Sequence, residues 1–134
     1  MKILLDTHIL VWFFSGDEQL SQKARDMIAD EDNEIYYSIL SAWEVEIKHT
    51  SRPDKLSLSC ENFISYCEEL KFIPLPIEIK HILQIGNLNR KEKTPPHRDP
   101  FDRAMLCQAM SENMIFMTHD ERIAEYVTTC VYKV

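Results

Sequence analysis

The chain has 134 residues, of which 45% are hydrophobic and 28% are charged, and its formal net charge is −7 at pH 7. This length and composition suit one soluble globular domain, here expected over residues 1–134, and exclude a membrane-spanning protein. The acidic balance excludes a protein that binds nucleic acid by neutralising phosphates over a broad basic face. Because the first residues lack the apolar core of a secretion signal, we expect a cytoplasmic protein.

The first predicted strand is the apolar segment Lys2–Leu5, and Asp6 follows it directly. Residues 9–14 are apolar at helical spacing, so Asp6 lies where the chain switches from strand to helix. Gly16 ends this helix, and a second helix is predicted over residues 20–28.

The next predicted strand covers residues 34–38, which are rich in aromatic and branched side chains. The helix after it is predicted to begin at a capping box, because Ser41 and Glu44 have the spacing at which a serine and an acid satisfy each other's backbone donors. Trp43 and Ile47 continue the helical spacing. Glu44 therefore has a purely structural explanation, which leaves its chemical role open.

Shorter elements are predicted in the middle of the chain. Residues 51–54 form a turn, residues 63–70 carry a helical stripe, and residues 72–75 form a short strand bounded by prolines. An amphipathic helix is predicted over residues 79–86. The polar and basic connection over residues 87–97 has a length that is more often functional than idle in compact domains.

Residues 97–103 read His-Arg-Asp-Pro-Phe-Asp-Arg and open a helix predicted over residues 101–110. Asp99 followed by Pro100 is typical of an N-cap with proline at the first helical position. Asp102 then lies in the first turn, where the helix dipole favours an anion. Both acids thus have a structural explanation of their own.

The last elements are a strand over residues 114–117, a brief helix over residues 121–126 after Asp120, and a strand over residues 130–132. Short strands therefore alternate with helices along the whole chain. This alternation predicts an α/β fold with a largely parallel central sheet and helices on both faces.

Residues that follow parallel strands collect at one edge of the sheet, so we expect the acids there to converge. They are Asp6, Glu44 and Asp120, together with Asp99 and Asp102 at the start of a helix that faces this edge. Crowded carboxylates repel, and a raised pKa or a bound cation relieves the repulsion. Because the histidines and cysteines lack metal-ligand spacing, this oxygen-only set suits Mg²⁺ or Mn²⁺, which can activate water and polarise a phosphodiester.

Four motifs span nearly the whole chain: Leu4-Leu5-Asp6-Thr7, Ser41-Ala42-Trp43-Glu44-Val45-Glu46-Ile47-Lys48, His97-Arg98-Asp99-Pro100-Phe101-Asp102-Arg103 and Met117-Thr118-His119-Asp120. Together they resemble the PIN-domain ribonucleases, and the third resembles the H-x-D-P-F-D-R signature of VapC-type toxins. The resemblance implies a PIN-like three-layer sandwich. It also implies an endoribonuclease that depends on Mg²⁺ or Mn²⁺ and is the toxin of a toxin–antitoxin pair.

The resemblance also implies roles for individual acids. Asp6, Glu44 and Asp102 match the family's three principal acids, and Asp120 matches its more variable fourth. These four are the expected catalytic residues and metal ligands. Asp99 is either a further ligand or only the helix cap.

Four further residues have supporting positions in the motifs. Thr7 and Thr118 match positions where the family often places a hydroxyl near the metal. Arg98 and Arg103 either hold the motif loop by pairing with acids or contact phosphate, and for Arg103 we favour the structural role.

The expected partners are an RNA substrate, a VapB-like antitoxin and a second copy of the chain, with no membrane. The homodimer is suggested by the family and by the apolar segment over residues 11–14, which is a plausible dimer surface. Phosphoryl transfer through an aspartyl phosphate is disfavoured, because the first strand ends without an Asp-x-Asp motif. The alternative function is a non-catalytic PIN-like module that binds RNA or protein.

Overall fold

The structure of the protein is a computed structural model, which describes residues 1–90, 99–126 and 128–134. In these residues five strands form one sheet, and all neighbouring strands are parallel. From edge to edge the strands are β3 (Ile73–Leu75), β2 (Glu34–Ser38), β1 (Lys2–Leu5), β4 (Ile115–Thr118) and β5 (Val131–Lys133).

The central strand β1 is covered on both faces. Its Ile3, Leu4 and Leu5 have no exposed surface, which explains why a run of consecutive apolar residues forms this strand. Side chains alternate along a strand, so Ile3 and Leu5 belong to one apolar core and Leu4 to the other.

Helices form the two outer layers. Within the described residues they are α1 (Thr7–Ser15), α2 (Gln22–Ala29), α3 (Ile39–Ser51), α4 (Cys60–Glu69), α5 (Ile79–Gln84), α6 (Pro100–Ser111) and α7 (Glu121–Ala124). Helices α1, α2 and α4 pack with Ile3 and Leu5, whereas α6 and α7 pack with Leu4. The predicted three-layer α/β sandwich is therefore confirmed. None of these helices is long and apolar enough to cross a membrane.

The start of α3 differs from the prediction. The helix begins at Ile39, and its N-cap is Ser38, whose hydroxyl accepts a hydrogen bond from the Leu40 N–H at 3.0 Å. The predicted capping box at Ser41 and Glu44 is therefore wrong, because both residues lie inside the helix. The Ser-x-x-Glu pattern is present, but a serine three residues earlier takes the cap.

Several other boundaries also shift. Ser51 belongs to α3, so the turn predicted over residues 51–54 starts one residue later. The helix predicted over residues 79–86 ends in a 3-10 turn, Ile85–Asn87. Residues 91–97 of the basic connection, and Arg98 after them, lie outside the described residues.

The apolar segment over residues 11–14 is half-buried against the chain's own core. The Phe14 ring lies 5.7 Å from that of Phe63 and 6.2 Å from that of Phe72. This segment therefore offers less free apolar surface than the sequence suggests. More exposed apolar side chains lie on α3 and α5, with Trp43 at 59% and Leu83 at 72% exposure.

Candidate functional site

Asp6 lies where β1 ends and α1 begins, and its side chain is almost completely buried. One carboxylate oxygen, Oδ1, accepts a hydrogen bond from the Thr7 N–H at 2.7 Å. The other, Oδ2, accepts one from the Thr118 hydroxyl at 2.7 Å. Because Thr118 ends the neighbouring strand β4, the two bonds fix the Asp6 carboxylate between adjacent strand ends.

Glu44 reaches the same place from the second turn of α3. Its Oε1 accepts a hydrogen bond from the Thr7 hydroxyl at 2.8 Å, and its Oε2 lies 3.4 Å from Lys48 Nζ. The Ser41 hydroxyl is also 2.8 Å from Thr7 Oγ1. Because the Thr7 proton goes to the carboxylate, Ser41 donates to Thr7, so three side chains form one directed chain of hydrogen bonds.

Asp102 lies in the first turn of α6, and Asp99 is the N-cap of that helix. Asp99 Oδ1 accepts hydrogen bonds from the N–H groups of Phe101 at 2.9 Å and Asp102 at 3.2 Å, with Pro100 at the first helical position. The predicted cap is therefore confirmed. It uses one oxygen of the Asp99 carboxylate and leaves the ligand role of Asp99 a prediction.

Asp120 is the N-cap of the short helix α7, and its Oδ1 accepts a hydrogen bond from the Arg122 N–H at 2.8 Å. The Asp120 N–H in turn donates to Thr118 Oγ1 at 3.0 Å. Thr118 therefore joins two acids, since its hydroxyl accepts from the backbone of Asp120 and donates to Asp6.

The acids act on one another electrostatically. Burial raises the pKa of Asp6 to about 7, and repulsion from Glu44 and Asp120 adds to this, although the hydrogen bonds from Thr118 and Thr7 oppose it. Burial also raises the pKa of Asp102 to about 8, with repulsion from Asp6 as the next cause and from Asp99, Glu44 and Asp120 after it. All five predicted acids therefore lie near enough for their negative charges to disfavour each other, although among the described residues no three of them have carboxylate oxygens within 4.8 Å of one another.

This donor set fits a hard divalent cation. All its ligand oxygens belong to carboxylates, and two of these carboxylates, those of Asp6 and Asp102, are buried and have raised pKa values. A bound cation offsets both the cost of burying their negative charges and the repulsion between them. A cavity of about 280 Å³ lined by Glu44, Lys48, Asp99 and Phe101 opens beside this set. We call these five acids, Asp6, Glu44, Asp99, Asp102 and Asp120, the acidic cluster.

The sequence matches the model of the PIN domain family over residues 3–127. The chain belongs to the PIN domain family. Two solved structures share the fold of this PIN domain. One is a chain of VapBC2 from Rickettsia felis, solved with a DNA fragment from its promoter, with a TM-score of 0.71 and 13% identity, covering 99% of this chain and 98% of that one. The other is a chain of VapBC-1 from nontypeable Haemophilus influenzae, with a TM-score of 0.62, 18% identity and the same coverage of 99% and 98%. No curated protein matches the sequence.

Thr7 and Thr118 contact the acidic cluster directly, through the hydrogen bonds given above. Arg103 Nε donates to the Asp99 carbonyl oxygen at 3.4 Å, a contact that supports a structural role.

Two buried residues of the site have functions that the sequence did not indicate. Ser41 was interpreted as a cap, yet its hydroxyl completes the hydrogen-bond chain to Glu44. Gln108 on α6 accepts a hydrogen bond from the Ser38 hydroxyl at 2.6 Å and donates to the Leu75 carbonyl at 3.3 Å. It thus ties the helix that carries Asp102 to the N-cap of the helix that carries Glu44. Helical spacing could have indicated Ser41, because it lies one turn before Glu44 on the same helix face. No such pattern pointed to Gln108.

A second group of metal-type side chains, Glu78, His81 and Glu112, has ligand atoms within 4.8 Å of one another. His81 Nδ1 accepts from the Glu78 N–H at 3.0 Å, so the ring proton is on Nε2, which lies 2.9 Å from Glu112 Oε1. Lys80 Nζ contacts the same oxygen at 2.8 Å and lowers the pKa of Glu112. Both ring nitrogens and the carboxylate are thus already used. Glu112 follows the last turn of α6, about 15 Å along the helix from Asp102, so this network is separate from the acidic cluster.

Proposed function

We propose that this PIN domain is a metal-dependent endoribonuclease of the VapC type, the toxin of a toxin–antitoxin pair. The observation that carries the proposal is the acidic cluster, in which two buried aspartates have their pKa values raised towards and above neutrality by burial and by neighbouring carboxylates. PIN domains are generally nucleases, and both structural neighbours are VapBC complexes.

In this proposal the acidic cluster holds Mg²⁺ or Mn²⁺ through Asp6, Glu44, Asp102 and Asp120, with Asp99 as a further ligand or only a cap. When bound, the cation supplies the positive charge that phosphodiester hydrolysis needs to activate water and stabilise the developing negative charge. The chain's own residues orient the carboxylates. The Thr7 hydroxyl holds an oxygen of Glu44 at 2.8 Å, and the Thr118 hydroxyl holds an oxygen of Asp6 at 2.7 Å. Fixed ligands need little reorganisation when the substrate binds.

The proposed partners are an RNA substrate, an antitoxin and a second copy of the chain. The substrate is RNA in the cytoplasm, and a VapB-like antitoxin is the inhibitor, as the VapBC neighbours suggest. The protein is proposed to form a homodimer, with the exposed apolar side chains of α3 and α5 as its surface in place of residues 11–14.

The test is cleavage of a labelled RNA by the purified chain with Mg²⁺, with Mn²⁺ or with EDTA. We expect cleavage only with the cations, and Asp6→Asn should lower its rate by orders of magnitude while the protein remains folded. Asp32→Asn, which removes an exposed acid outside the acidic cluster, is the matched control and should cut normally. A folded Asp6→Asn variant that cuts RNA at the wild-type rate would contradict the proposal and leave the non-catalytic module as the function.

A further inference from the structure

A groove of about 750 Å³ opens next to the acidic cluster. One wall is α1, from Thr7 to Ser15, and the other is formed by the end of α3, the loop over residues 52–58 and the start of α4. Thr7, whose backbone and hydroxyl bind Asp6 and Glu44, is one of the residues that line this groove. The groove is therefore continuous with the candidate active site.

The charge of the groove is opposite to that of the whole chain. Among the described residues, Lys48, Arg52 and Lys55 line it together with one acid, Asp17, although the chain carries a formal net charge of −7. Arg52 and Lys55 are exposed. Lys48 also contacts Glu44 at 3.4 Å, so the row of cations begins at the acidic cluster and extends away from it. Three cations along one groove suit a phosphate backbone, which carries a negative charge at every nucleotide, better than they suit a single anion.

Two aromatic rings line the same groove. Trp12 on α1 is half-buried, and its ring is held by His119, whose ring centroid is 5.1 Å away in an edge-to-face arrangement. Tyr66 on α4 is 41% exposed and lies 5.4 Å from the ring of Phe14. Rings fixed in this way provide surfaces on which unpaired bases stack without sequence preference.

We propose that this groove binds single-stranded RNA, with Arg52 and Lys55 on its phosphates and Trp12 against a base close to the cleaved bond. The inference rests on the proposed nuclease function, since the acidic cluster marks where the chain would be cut. A single strand is required because the bases of a duplex are stacked on each other and cannot lie on a tryptophan. We assign the groove to RNA rather than to a protein segment because three cations and two aromatic rings line it together, beside the apolar side chains Val11, Phe14, Leu56 and Leu58.

The first experiment measures binding of a fluorescent single-stranded RNA to the full chain by anisotropy, in EDTA so that no metal-dependent cleavage occurs. The variant Arg52→Gln/Lys55→Gln removes two groove charges. The control Lys2→Gln/Lys71→Gln removes two exposed charges at the end of the sheet where the strands begin. Lys2 is the first residue of β1, and Lys71 precedes β3 by two residues. Lys48 is left intact because it contacts Glu44.

We expect the groove variant to bind about tenfold more weakly and the control to bind like wild type. Between about 50 and 200 mM salt, the slope of log affinity against log salt should become shallower by about 1.4 for the groove variant, because two phosphate contacts are lost at roughly 0.7 each. Equal effects in both double variants, or none in the groove variant, would overturn the proposal and assign the groove to a protein segment. Absence of any RNA binding by wild type would also overturn it.

The second experiment uses the two tryptophans of the chain as separate probes. In Trp43→Phe only Trp12 emits, and in Trp12→Phe only Trp43 emits. We expect RNA to quench Trp12 and to leave Trp43 unchanged, because Trp43 lies outside the groove against Phe101, with ring centroids 5.1 Å apart. Quenching of Trp43 alone would overturn the proposed path. Neither readout requires cleavage, so loss of the nuclease activity and loss of the groove proposal are distinguished.

Discussion

The Thr7 hydroxyl donates a hydrogen bond to Glu44 Oε1 at 2.8 Å, although the two residues are 37 positions apart. The same residue donates its N–H to Asp6 at 2.7 Å. One threonine therefore sets the separation between an acid at a strand end and an acid on a helix. Any change in its hydroxyl should alter stability and activity together.

Thr7→Val removes this hydroxyl with little change in shape. We expect the free energy of unfolding to fall by about 1–3 kcal/mol, because the buried Glu44 loses a hydrogen bond and the Ser41 hydroxyl loses its oxygen acceptor. RNA cleavage should fall as well. Urea denaturation measures the first effect, and Thr50→Val, an exposed threonine on α3, is the control that should change stability by less than about 0.5 kcal/mol. An unchanged midpoint for Thr7→Val would show that the chain of hydrogen bonds contributes nothing.

The sequence contains enough local information to predict the framework of this site. A run of three buried apolar residues followed by Asp6 indicates a central strand with an acid at its end, and Asp99-Pro100 indicates a helix start. Each of these signals lies within a few neighbouring residues. The positions of Asp6 and Asp99 in the fold were therefore predicted correctly, and their roles at the site stay predictions.

The remaining features depend on contacts between distant residues. Ser41 fitted a local capping pattern, and only its 2.8 Å contact with Thr7, 34 residues earlier in the chain, shows that its hydroxyl belongs to the site. Gln108 gave no signal, because a glutamine in an amphipathic helix is ordinarily exposed, whereas here it is fully buried and bonded to Ser38. Patterns of neighbouring residues contain no information about such partners.

The raised pKa of Asp102, about 8, predicts how stability depends on pH. The folded protein holds a proton on this group at pH values where the unfolded chain, with an ordinary aspartate pKa near 3.8, has released it. The free energy of unfolding of the metal-free protein should therefore fall as the pH rises from about 4 to about 8, by on the order of a few kcal/mol with Asp6 included.

Asp102→Asn should flatten this dependence and make the metal-free protein more stable than wild type at pH 8. Urea denaturation in EDTA at several pH values measures the free energy of unfolding of each variant. For Asp32→Asn, this free energy should change with pH as it does for wild type. Adding Mn²⁺ should stabilise wild type more at pH 8 than at pH 5, because protons compete with the cation for the carboxylates. A wild-type stability that rises between these pH values would be opposite in sign to the prediction.

The proposed homodimer should depend on exposed apolar side chains of α3 and α5. Trp43 and Leu83 are 59% and 72% exposed, and a glutamate at either position would bring like charges together in a symmetric interface. We expect sedimentation to show a dimer for wild type at tens of micromolar and a monomer for Trp43→Glu or Leu83→Glu. Leu70→Glu, at an exposed apolar residue that ends α4, should remain dimeric. A wild-type monomer at these concentrations would remove the dimer from the proposed function.

The last prediction concerns inhibition by the antitoxin. Without a cation the carboxylates of the acidic cluster cannot all be charged at neutral pH, because burial and mutual repulsion raise the pKa values of Asp6 and Asp102. A guanidinium from the partner's tail would pair with two carboxylates at once in the planar geometry that arginine favours. Because one buried ion pair rarely gives tight binding once desolvation is counted, the rest of the tail should pack an apolar segment along the chain beside the site.

Inhibition by such an arginine should compete with the metal. The test is to purify the chain in complex with its antitoxin, with the tail arginine intact or changed to alanine, and to titrate Mg²⁺ while measuring RNA cleavage. With the arginine intact, more Mg²⁺ should be needed for half-maximal cleavage than with alanine, because the cation must displace a positive charge from the same carboxylates. If both complexes need the same Mg²⁺ concentration and inhibit equally, the arginine does not enter the acidic cluster, and the antitoxin acts by covering the substrate path instead.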